Sequence, residues 1–151
     1  MADGRIIDVV VNSEADDAVN NRVKKIVAVD DCNVVLKILK GVLDKDLYEL
    51  HAFSNGNRAL QFLMQKDKKP DLIILDIEMP EMDGFAVLEQ IKKMKHLEDV
   101  PVIFLTANNE KHQVIKAATD GIKDYVIKPI DKDILMKKIY LLLENMPDGH
   151  K

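Results

Sequence analysis

Short, continuous apolar runs alternate with longer segments of helical periodicity, and this alternation constrains the fold more than any other feature of the sequence. Runs that are apolar at every position are typical of strands buried on both faces. Segments with apolar residues three and four positions apart are typical of amphipathic helices. Strand and helix follow one another five times, which predicts a parallel sheet with helices on both faces. The buried runs span residues 26–29, 72–75, 102–105 and 125–127, and the helical segments span residues 34–43, 55–66, 84–94, 109–119 and 135–142.

The second strand, residues 47–53, has a different pattern. Its apolar side chains, such as Tyr48 and Leu50, alternate with polar ones, such as Glu49 and His51. Alternation is typical of a strand with one exposed face, so we expect this strand at an edge of the sheet. Right-handed crossover connections leave few topologies, and the common strand order 2-1-3-4-5 places the second strand at an edge. The predicted fold is therefore α/β and doubly wound, (βα)5, with a five-stranded parallel sheet in that order.

The N-terminal segment differs from the rest of the chain, because polar residues dominate at positions 12–17. We expect a mobile N-terminal tail over residues 1–23, one domain over residues 24–146 and a C-terminal tail over residues 147–151. An alternative for the first tail is an additional strand over residues 6–11, which would pair with a sheet edge or with a second chain.

Composition and charge narrow the class of protein. Apolar residues make up 47% of the chain and charged residues 32%, which predicts a packed core with a solvated surface. The net charge of −4 argues against nucleic acid as a direct partner. Cys32 is the only cysteine, so no intramolecular disulfide can form, which fits a reducing compartment. No apolar stretch approaches the ~20 residues that span a bilayer, and the N-terminus lacks a signal-peptide core, so we expect a cytoplasmic protein without membrane attachment.

Polar side chains stand at the ends of four of the five predicted strands. Asp30 and Asp31 follow the first strand, Asp76 the third, Thr106 the fourth and Lys128 the fifth. In open α/β sheets, ligands bind beyond the carboxyl ends of the strands, at the point where the strand order reverses. That point lies between the first and third strands, so three carboxylates are expected to meet there. Each residue alone fits a helix cap, a turn or a surface position, but their joint placement indicates a functional site.

Three clustered carboxylates repel one another unless positive charge compensates them. One lysine and one divalent cation balance three aspartates, and ligands that are all oxygen favour Mg²⁺. A hard cation beside a carboxylate and a lysine is typical of phosphoryl transfer, in which a carboxylate can be the covalent acceptor. The residues therefore predict Mg²⁺ as the cofactor and phosphoryl chemistry at this edge of the sheet.

Four short motifs carry these residues. They are Val29-Asp30-Asp31, the run from Leu75 to Gly84, the pair Thr106-Ala107 and the run from Tyr125 to Pro129. In their order and intervals they resemble the receiver domain of two-component response regulators, and the resemblance covers residues 25–145. Each motif is weak alone, whereas the ordered set is specific. The resemblance implies a flavodoxin-like fold and similarity to single-domain chemotaxis-type regulators.

The resemblance also implies a role for each acidic residue. It implies that Asp76 is the phospho-acceptor. Asp31 and Asp76 would bind Mg²⁺ together with the backbone carbonyl of Glu78, and Asp30 would contribute, partly through water. Lys128 would contact the phosphoryl oxygens.

A conformational switch is implied by the same resemblance. Thr106 would move to hydrogen-bond the phosphoryl group, and Tyr125 is the aromatic residue that would turn with it. The peptide bond before Pro129 is cis in similar proteins. Glu78 and Asn108 occupy positions that vary across the family, so they bear on the lifetime of the phosphoryl group.

The partners are implied in the same way. The donor would be a sensor histidine kinase or a histidine phosphotransfer protein, and a downstream effector protein would read the altered protein–protein contacts. Catalysis would be limited to the chain's own phosphorylation and dephosphorylation. We expect no direct contact with nucleic acid or membrane, and a monomer or a phosphorylation-dependent dimer. The chain is either a stand-alone regulator or a receiver cut from a longer chain.

Three other interpretations remain open. Asp76-Ile77-Glu78 faintly resembles the nucleophile motif of haloacid-dehalogenase-type phosphohydrolases, although in that family the nucleophile strand comes early in the chain. A flavin binder of the same topology would need a phosphate-binding loop after the first strand, where Asp30 and Asp31 repel a phosphate. A purely structural receiver conflicts with the complete acidic set.

Overall fold

A computed structural model of the chain describes residues 22–107 and 122–144. Within these residues five strands form one sheet: β1 (Lys24–Val29), β2 (Tyr48–Phe53), β3 (Leu72–Asp76), β4 (Val102–Thr106) and β5 (Ile122–Ile127). Every pairing is parallel, and the strand order is β2-β1-β3-β4-β5. The predicted α/β fold and strand order are confirmed, including the position of β2 at an edge.

Four helices connect or follow these strands in the described part of the chain. They are α1 (Asn33–Val42), α2 (Gly56–Leu63), α3 (Gly84–Lys92) and α4 (Lys132–Glu144), and short 3-10 turns occupy Lys66–Lys68 and Lys95–Leu97. None of these helices is long and apolar enough to cross a membrane. The helix predicted for residues 109–119 lies outside the described residues, as does almost all of the tail predicted for residues 1–23.

Several element bounds differ from the predictions by one to three residues, and two of these differences have a clear physical reason. The second helix was predicted to reach Lys66, but α2 ends at Leu63 because residues 64–69 are all exposed and supply no packing for another turn. The fifth strand was predicted from Tyr125, but β5 starts at Ile122. Its first residues were missed because an edge strand pairs through its backbone and tolerates polar side chains.

The sheet divides the core into two layers. On one side, alternate residues of the central strands pack against α2 and α3, and on the other side the remaining residues pack against α1 and α4. The first layer includes Val27, Ile73 and Phe104, and the second includes Ile74 and Ile103, all at 0% exposure. Truncating a fully buried aliphatic side chain to Ala typically costs about 2–5 kcal/mol. The central strands are therefore a rigid support for the residues that follow them.

The turn after β3 packs tightly under Asp76 because Gly84 has no side chain. The Gly84 N–H donates to the Ile77 carbonyl at 2.8 Å. A Cβ at position 84 would lie 2.8 Å from the Ile77 Cα and closer still to the Asp76 carbonyl oxygen. Asp83 caps α3 by accepting a hydrogen bond from the Ala86 N–H at 2.9 Å. The start of α3 and the end of β3 are thus held against each other.

Asp71 connects the amino-terminal ends of the neighbouring strands β1 and β3. Its carboxylate accepts hydrogen bonds from two nitrogens of Arg22, at 2.6 and 3.1 Å, and from the Lys25 N–H at 2.8 Å. Burial raises the pKa of Asp71, but the contacts with Arg22 and Lys25 outweigh burial and hold the pKa below its ordinary value. The ionised carboxylate therefore stabilises the junction between the start of β1 and the start of β3.

Candidate functional site

The carboxyl ends of β1 and β3 bring three carboxylates together. Asp30 and Asp31 follow β1, and Asp76 is the last residue of the adjacent strand β3. One carboxylate oxygen of each residue lies within 4.8 Å of the other two. Asp30 and Asp76 are buried, at 0% and 1% exposure, whereas Asp31 is exposed. The acids that the strand-end pattern singled out are therefore neighbours in the structure.

Lys128 follows β5 and reaches across the end of β4 to the buried acids. Its Nζ lies 2.9 Å from Asp30 Oδ2 and 3.2 Å from Asp76 Oδ1. Its backbone N–H donates to the Thr106 carbonyl at 2.8 Å, which holds the start of the side chain beside β4. The Lys128–Pro129 peptide bond is cis, as the resemblance implied. The acidic cluster thus contains a built-in cation.

The two carboxylate oxygens of Asp76 have different surroundings. Oδ1 accepts hydrogen bonds from Lys128 Nζ and from the Glu78 N–H, both at 3.2 Å. Oδ2 accepts no hydrogen bond from any described residue. Two donors on one oxygen fix the orientation of the carboxylate, and the other oxygen keeps its lone pairs available for a ligand or a reacting atom.

The charges of the site oppose ionisation of Asp76. Burial and the neighbouring charge of Asp30 raise the pKa of Asp76 to about 6, although Lys128 and the Glu78 N–H lower it. Burial alone lowers the pKa of Lys128, but its contacts with Asp30 and Asp76 outweigh burial, and the pKa is raised above its ordinary value. Lys128 therefore stays charged, and the acids hold more negative charge than it compensates.

The donor set fits a hard divalent cation. The three clustered ligand atoms are all carboxylate oxygens, which Mg²⁺ and Ca²⁺ prefer. Asp30 Oδ2 is buried, and it forms an ion pair with Lys128 Nζ at 2.9 Å. One ammonium group does not balance three clustered carboxylates, so a further positive charge would stabilise them. Asp30, Asp31 and Asp76 could therefore hold one metal ion.

Thr106 and Tyr125 lie on neighbouring strands beside this cluster. Thr106 ends β4 and is buried at 0% exposure. Tyr125 is half-buried on β5, where it pairs in register with Phe104, two residues before Thr106. Lys138 of α4 lies 5.6 Å above the Tyr125 ring centroid and donates to Asp124 at 2.8 Å. The other predicted position, Asn108, lies outside the described residues.

Sequence reasoning placed Glu78 beside the site but did not predict the contact that its side chain makes. Its exposed carboxylate accepts a hydrogen bond from the Ala107 N–H at 3.3 Å, so it connects the loop after β3 with the residue after β4. Its backbone N–H donates to Asp76 Oδ1. The position of Glu78 two residues after Asp76 was a signal for closeness to the site, but nothing in the sequence specified the contact with Ala107.

Sequence reasoning also missed a cleft of about 210 Å³ that opens beside Asp31. The loops after β2 and β3 form it, and its lining includes Asn55, Met79 and Met82. Asn55 caps α2 by accepting a hydrogen bond from the Arg58 N–H at 3.1 Å, which fixes one wall. The cleft gives the acidic cluster an opening to solvent on the Asp31 side.

Comparison with known proteins assigns the chain to a family. The family model for the response regulator receiver domain matches residues 26–140. The chain belongs to the response regulator receiver domain family, whose members are signalling domains of two-component systems.

Curated relatives and solved structures agree with this assignment. The two-component response regulator ARR12 of Arabidopsis thaliana is 39% identical over 107 residues, which are 70% of this chain and 17% of the relative. The signal receiver domain of a signal transduction histidine kinase from Syntrophus aciditrophicus is 32% identical, with a TM-score of 0.72 over 83% of this chain and 93% of that one. The Vibrio cholerae chemotaxis protein CheY4 is 28% identical, with a TM-score of 0.71 over 80% and 99%. The chain spans less than a fifth of the length of the curated relatives it matches.

Proposed function

We propose that the chain accepts a phosphoryl group on Asp76 and transmits the signal as a conformational change. The observation that carries this proposal is the asymmetry of the Asp76 carboxylate. Lys128 and the Glu78 N–H hold Oδ1, whereas Oδ2 has no donor among the described residues. Pre-oriented reacting groups and fixed positive charge are what phosphoryl transfer requires of a protein.

In the proposed reaction, Oδ2 of Asp76 attacks the phosphorus atom of the donor. A P–O bond forms, the bond between phosphorus and the donor's leaving group breaks, and the leaving group keeps the electron pair and takes a proton from solvent. Lys128 neutralises negative charge on the phosphoryl oxygens, and Asp30 keeps the ammonium group in place. Mg²⁺, held by Asp30, Asp31 and Asp76 with the Glu78 carbonyl, would supply two further positive charges to the phosphoryl oxygens.

The proposed output runs through Thr106 and Tyr125. A phosphoryl oxygen on Asp76 offers the Thr106 hydroxyl a charge-assisted hydrogen bond, which is stronger than a neutral one. Movement of Thr106 towards Asp76 leaves space at the end of β4 that the half-buried Tyr125 ring can enter. The local change in charge thus biases a two-state element, and an effector would read the altered face of β5 and α4.

The proposed partners follow from the proteins that this chain resembles. Curated relatives are described as two-component response regulators, and one structural neighbour is the receiver domain of a histidine kinase. A sensor histidine kinase or a histidine phosphotransfer protein is therefore the proposed donor, and a downstream effector protein is the proposed reader. The proposed setting is the cytoplasm, with a monomer or a phosphorylation-dependent dimer.

Intact-protein mass spectrometry with acetyl phosphate and Mg²⁺ tests the acceptor. The wild type should gain one phosphoryl group, Asp76→Asn should gain none, and Asp67→Asn, at an exposed position away from the site, should behave as the wild type. Labelling that persists in Asp76→Asn contradicts the proposal. Sustained turnover of a phosphoester would instead favour a phosphohydrolase.

A further inference from the structure

A group of exposed lysines lies at the end of the sheet opposite Asp76. The lysines occupy two segments, one after α2 and before β3, the other at the end of α3 and before β4. Because the strands are parallel, the segments that precede them lie at the amino-terminal edge of the sheet, whereas Asp76 ends β3 at the carboxyl edge. This group, the lysine patch, consists of Lys66, Lys68, Lys69, Lys92, Lys93 and Lys95.

Two contacts hold the two segments of the lysine patch together. The ring nitrogen Nε2 of His96 donates a hydrogen bond to the carbonyl of Leu63, the last residue of α2, at 2.7 Å. Lys69 Nζ forms an ion pair with Asp99 Oδ1 at 3.1 Å. The lysines after α2 therefore lie beside those at the end of α3, and their positive charges reinforce one another.

The lysine patch carries more positive charge than its own acids balance. Apart from the pair between Lys69 and Asp99, none of its lysines lies within ion-pair distance of a carboxylate in residues 22–107 and 122–144. The other five lysines face only two acids of the same segments, Asp67 and Glu98, which are both exposed. Like charges at short separation repel one another, so an anionic partner would stabilise the patch.

The N-terminal segment of the chain joins the described residues beside this patch. Arg22 is the first described residue, and its guanidinium contacts the Asp71 carboxylate at 2.6 and 3.1 Å. Asp71 follows Lys69 by two residues. The chain on the N-terminal side of Arg22 therefore starts at the same edge of the sheet as the lysine patch.

The sequence before Arg22 contains an acidic segment within reach of the patch. Residues 14–17 carry three carboxylates, those of Glu14, Asp16 and Asp17, and no basic residue. Asp17 is five residues from Arg22, a distance that an extended chain spans over about 17 Å at most. A tether this short gives the segment an effective concentration of roughly millimolar near the patch, so several weak ion pairs are enough to hold it.

We propose that the acidic segment of residues 14–17 docks on the lysine patch of the same chain and covers it. Opposite charge and the short tether at Arg22 favour this segment over a separate anion. Each exposed ion pair stabilises the docked state only by a factor of roughly 1.5–5, so the contact is reversible and sensitive to salt. The lysine patch is remote from Asp76, and the inference does not depend on the proposed phosphorylation.

A nitroxide spin label at position 13 reports where the acidic segment lies. Ser13→Cys in a Cys32→Ser background gives a single labelling site, because Cys32 is the only cysteine. NMR of the ¹⁵N-labelled full chain then compares each backbone amide signal with the label oxidised and reduced. At about 0.01 M salt, where the Debye length is about 30 Å, the amides of Lys66, Lys68 and Lys95 should broaden. At about 1 M salt, where the Debye length is about 3 Å, that broadening should fall by roughly threefold or more.

Two double variants of the N-terminal segment separate docking from net charge. Asp16→Asn with Asp17→Asn should reduce the low-salt broadening by roughly threefold or more, because it removes two of the three docking carboxylates. Asp3→Asn with Asp8→Asn removes the same charge outside the acidic segment and should leave the broadening unchanged.

A second matched pair of variants tests the lysine patch. Lys66→Gln with Lys68→Gln should reduce the broadening at Lys95 as the Asp16 and Asp17 substitutions do. Lys37→Gln with Lys40→Gln, at exposed positions on α1 on the other side of the sheet, should leave it unchanged. The amide signals of the core strands should keep their positions in every variant, which shows that the fold is intact.

Equal broadening at low and high salt overturns the inference, as does equal broadening in a docking variant and its matched control. Spin-labelled protein without ¹⁵N, mixed with unlabelled ¹⁵N protein, tests for a second copy. Broadening in that mixture as strong as in the single-protein sample would show that the segment docks on another molecule, which contradicts docking within one chain. Failure of Asp76 to accept a phosphoryl group would contradict the proposed function and leave this inference standing.

Discussion

Removing the charge of Asp76 should stabilise the metal-free protein. Burial and the charge of Asp30 raise the pKa of Asp76 from its ordinary 3.8 to about 6. A raised carboxyl pKa means that ionisation destabilises the folded state. This penalty is absent below the unfolded pKa, grows as the pH rises from 3.8 towards 6, and is fully present above that range.

The size of the pKa shift of Asp76 determines how much stability the folded protein loses. At about 1.36 kcal/mol per pKa unit, the rise to about 6 corresponds to roughly 3 kcal/mol of lost stability at neutral pH. Asp76→Asn removes the charge but also one partner of Lys128, so we expect a net gain of about 1–2 kcal/mol. The gain should shrink as the pH falls, because protonation removes the same charge from the wild type.

Urea unfolding in EDTA between about pH 4 and about pH 7.5 measures this difference. Asp71→Asn is the control, and its free energy of unfolding should change in the opposite direction. Contacts with Arg22 and Lys25 lower the pKa of Asp71, so its ionised form stabilises the fold. That variant should be less stable than the wild type at neutral pH. An Asp76→Asn variant that is no more stable than the wild type at neutral pH, or whose advantage does not shrink in acid, would show that the Asp76 charge does not destabilise the fold.

Three further predictions concern the proposed metal site, the proposed switch and the turn below Asp76. Asp31→Ala should leave the fold intact but weaken Mg²⁺ binding, seen as a smaller rise in melting temperature on Mg²⁺ addition; an unchanged Mg²⁺ affinity contradicts this. Thr106→Ala should still accept a phosphoryl group on Asp76, but the ring signals of Tyr125 should no longer respond to beryllofluoride by NMR; a full response argues against the coupling. Gly84→Ala should lower stability by about 1–3 kcal/mol in urea unfolding and slow labelling by acetyl phosphate, because its Cβ collides with the backbone under the acceptor; wild-type stability would show that the turn can relax.

Much of the fold could be predicted because the sheet is buried on both faces. Strands such as β3 and β4 are apolar at every position before their last residue, so their runs stand out from the helical segments. The alternation of β2 marked it as an edge strand for the same reason. The start of β5 was missed, because a strand at the other edge is held by backbone pairing that side-chain patterns do not reveal.

The site could be predicted as far as strand ends determine it. Parallel strands bring their carboxyl ends to one edge, so Asp30, Asp76 and Lys128 had to converge once the strand order was known. Finer features could not be predicted. Which oxygen of Asp76 is held, and which N–H the Glu78 carboxylate contacts, depend on side-chain rotamers and loop geometry, and no periodic pattern in the sequence encodes either.

Chemical trapping of the phosphoryl group tests most directly whether Asp76 is the acceptor. Borohydride reduces an acyl phosphate to an alcohol, so brief labelling with acetyl phosphate and Mg²⁺, followed by reduction and peptide mass spectrometry, identifies the carboxylate that carried it. We expect one reduced residue, at position 76, and none when EDTA replaces Mg²⁺. Reduction at Asp31 or another carboxylate, or no reduction in a folded protein with Mg²⁺ present, would contradict the claim that Asp76 is the acceptor.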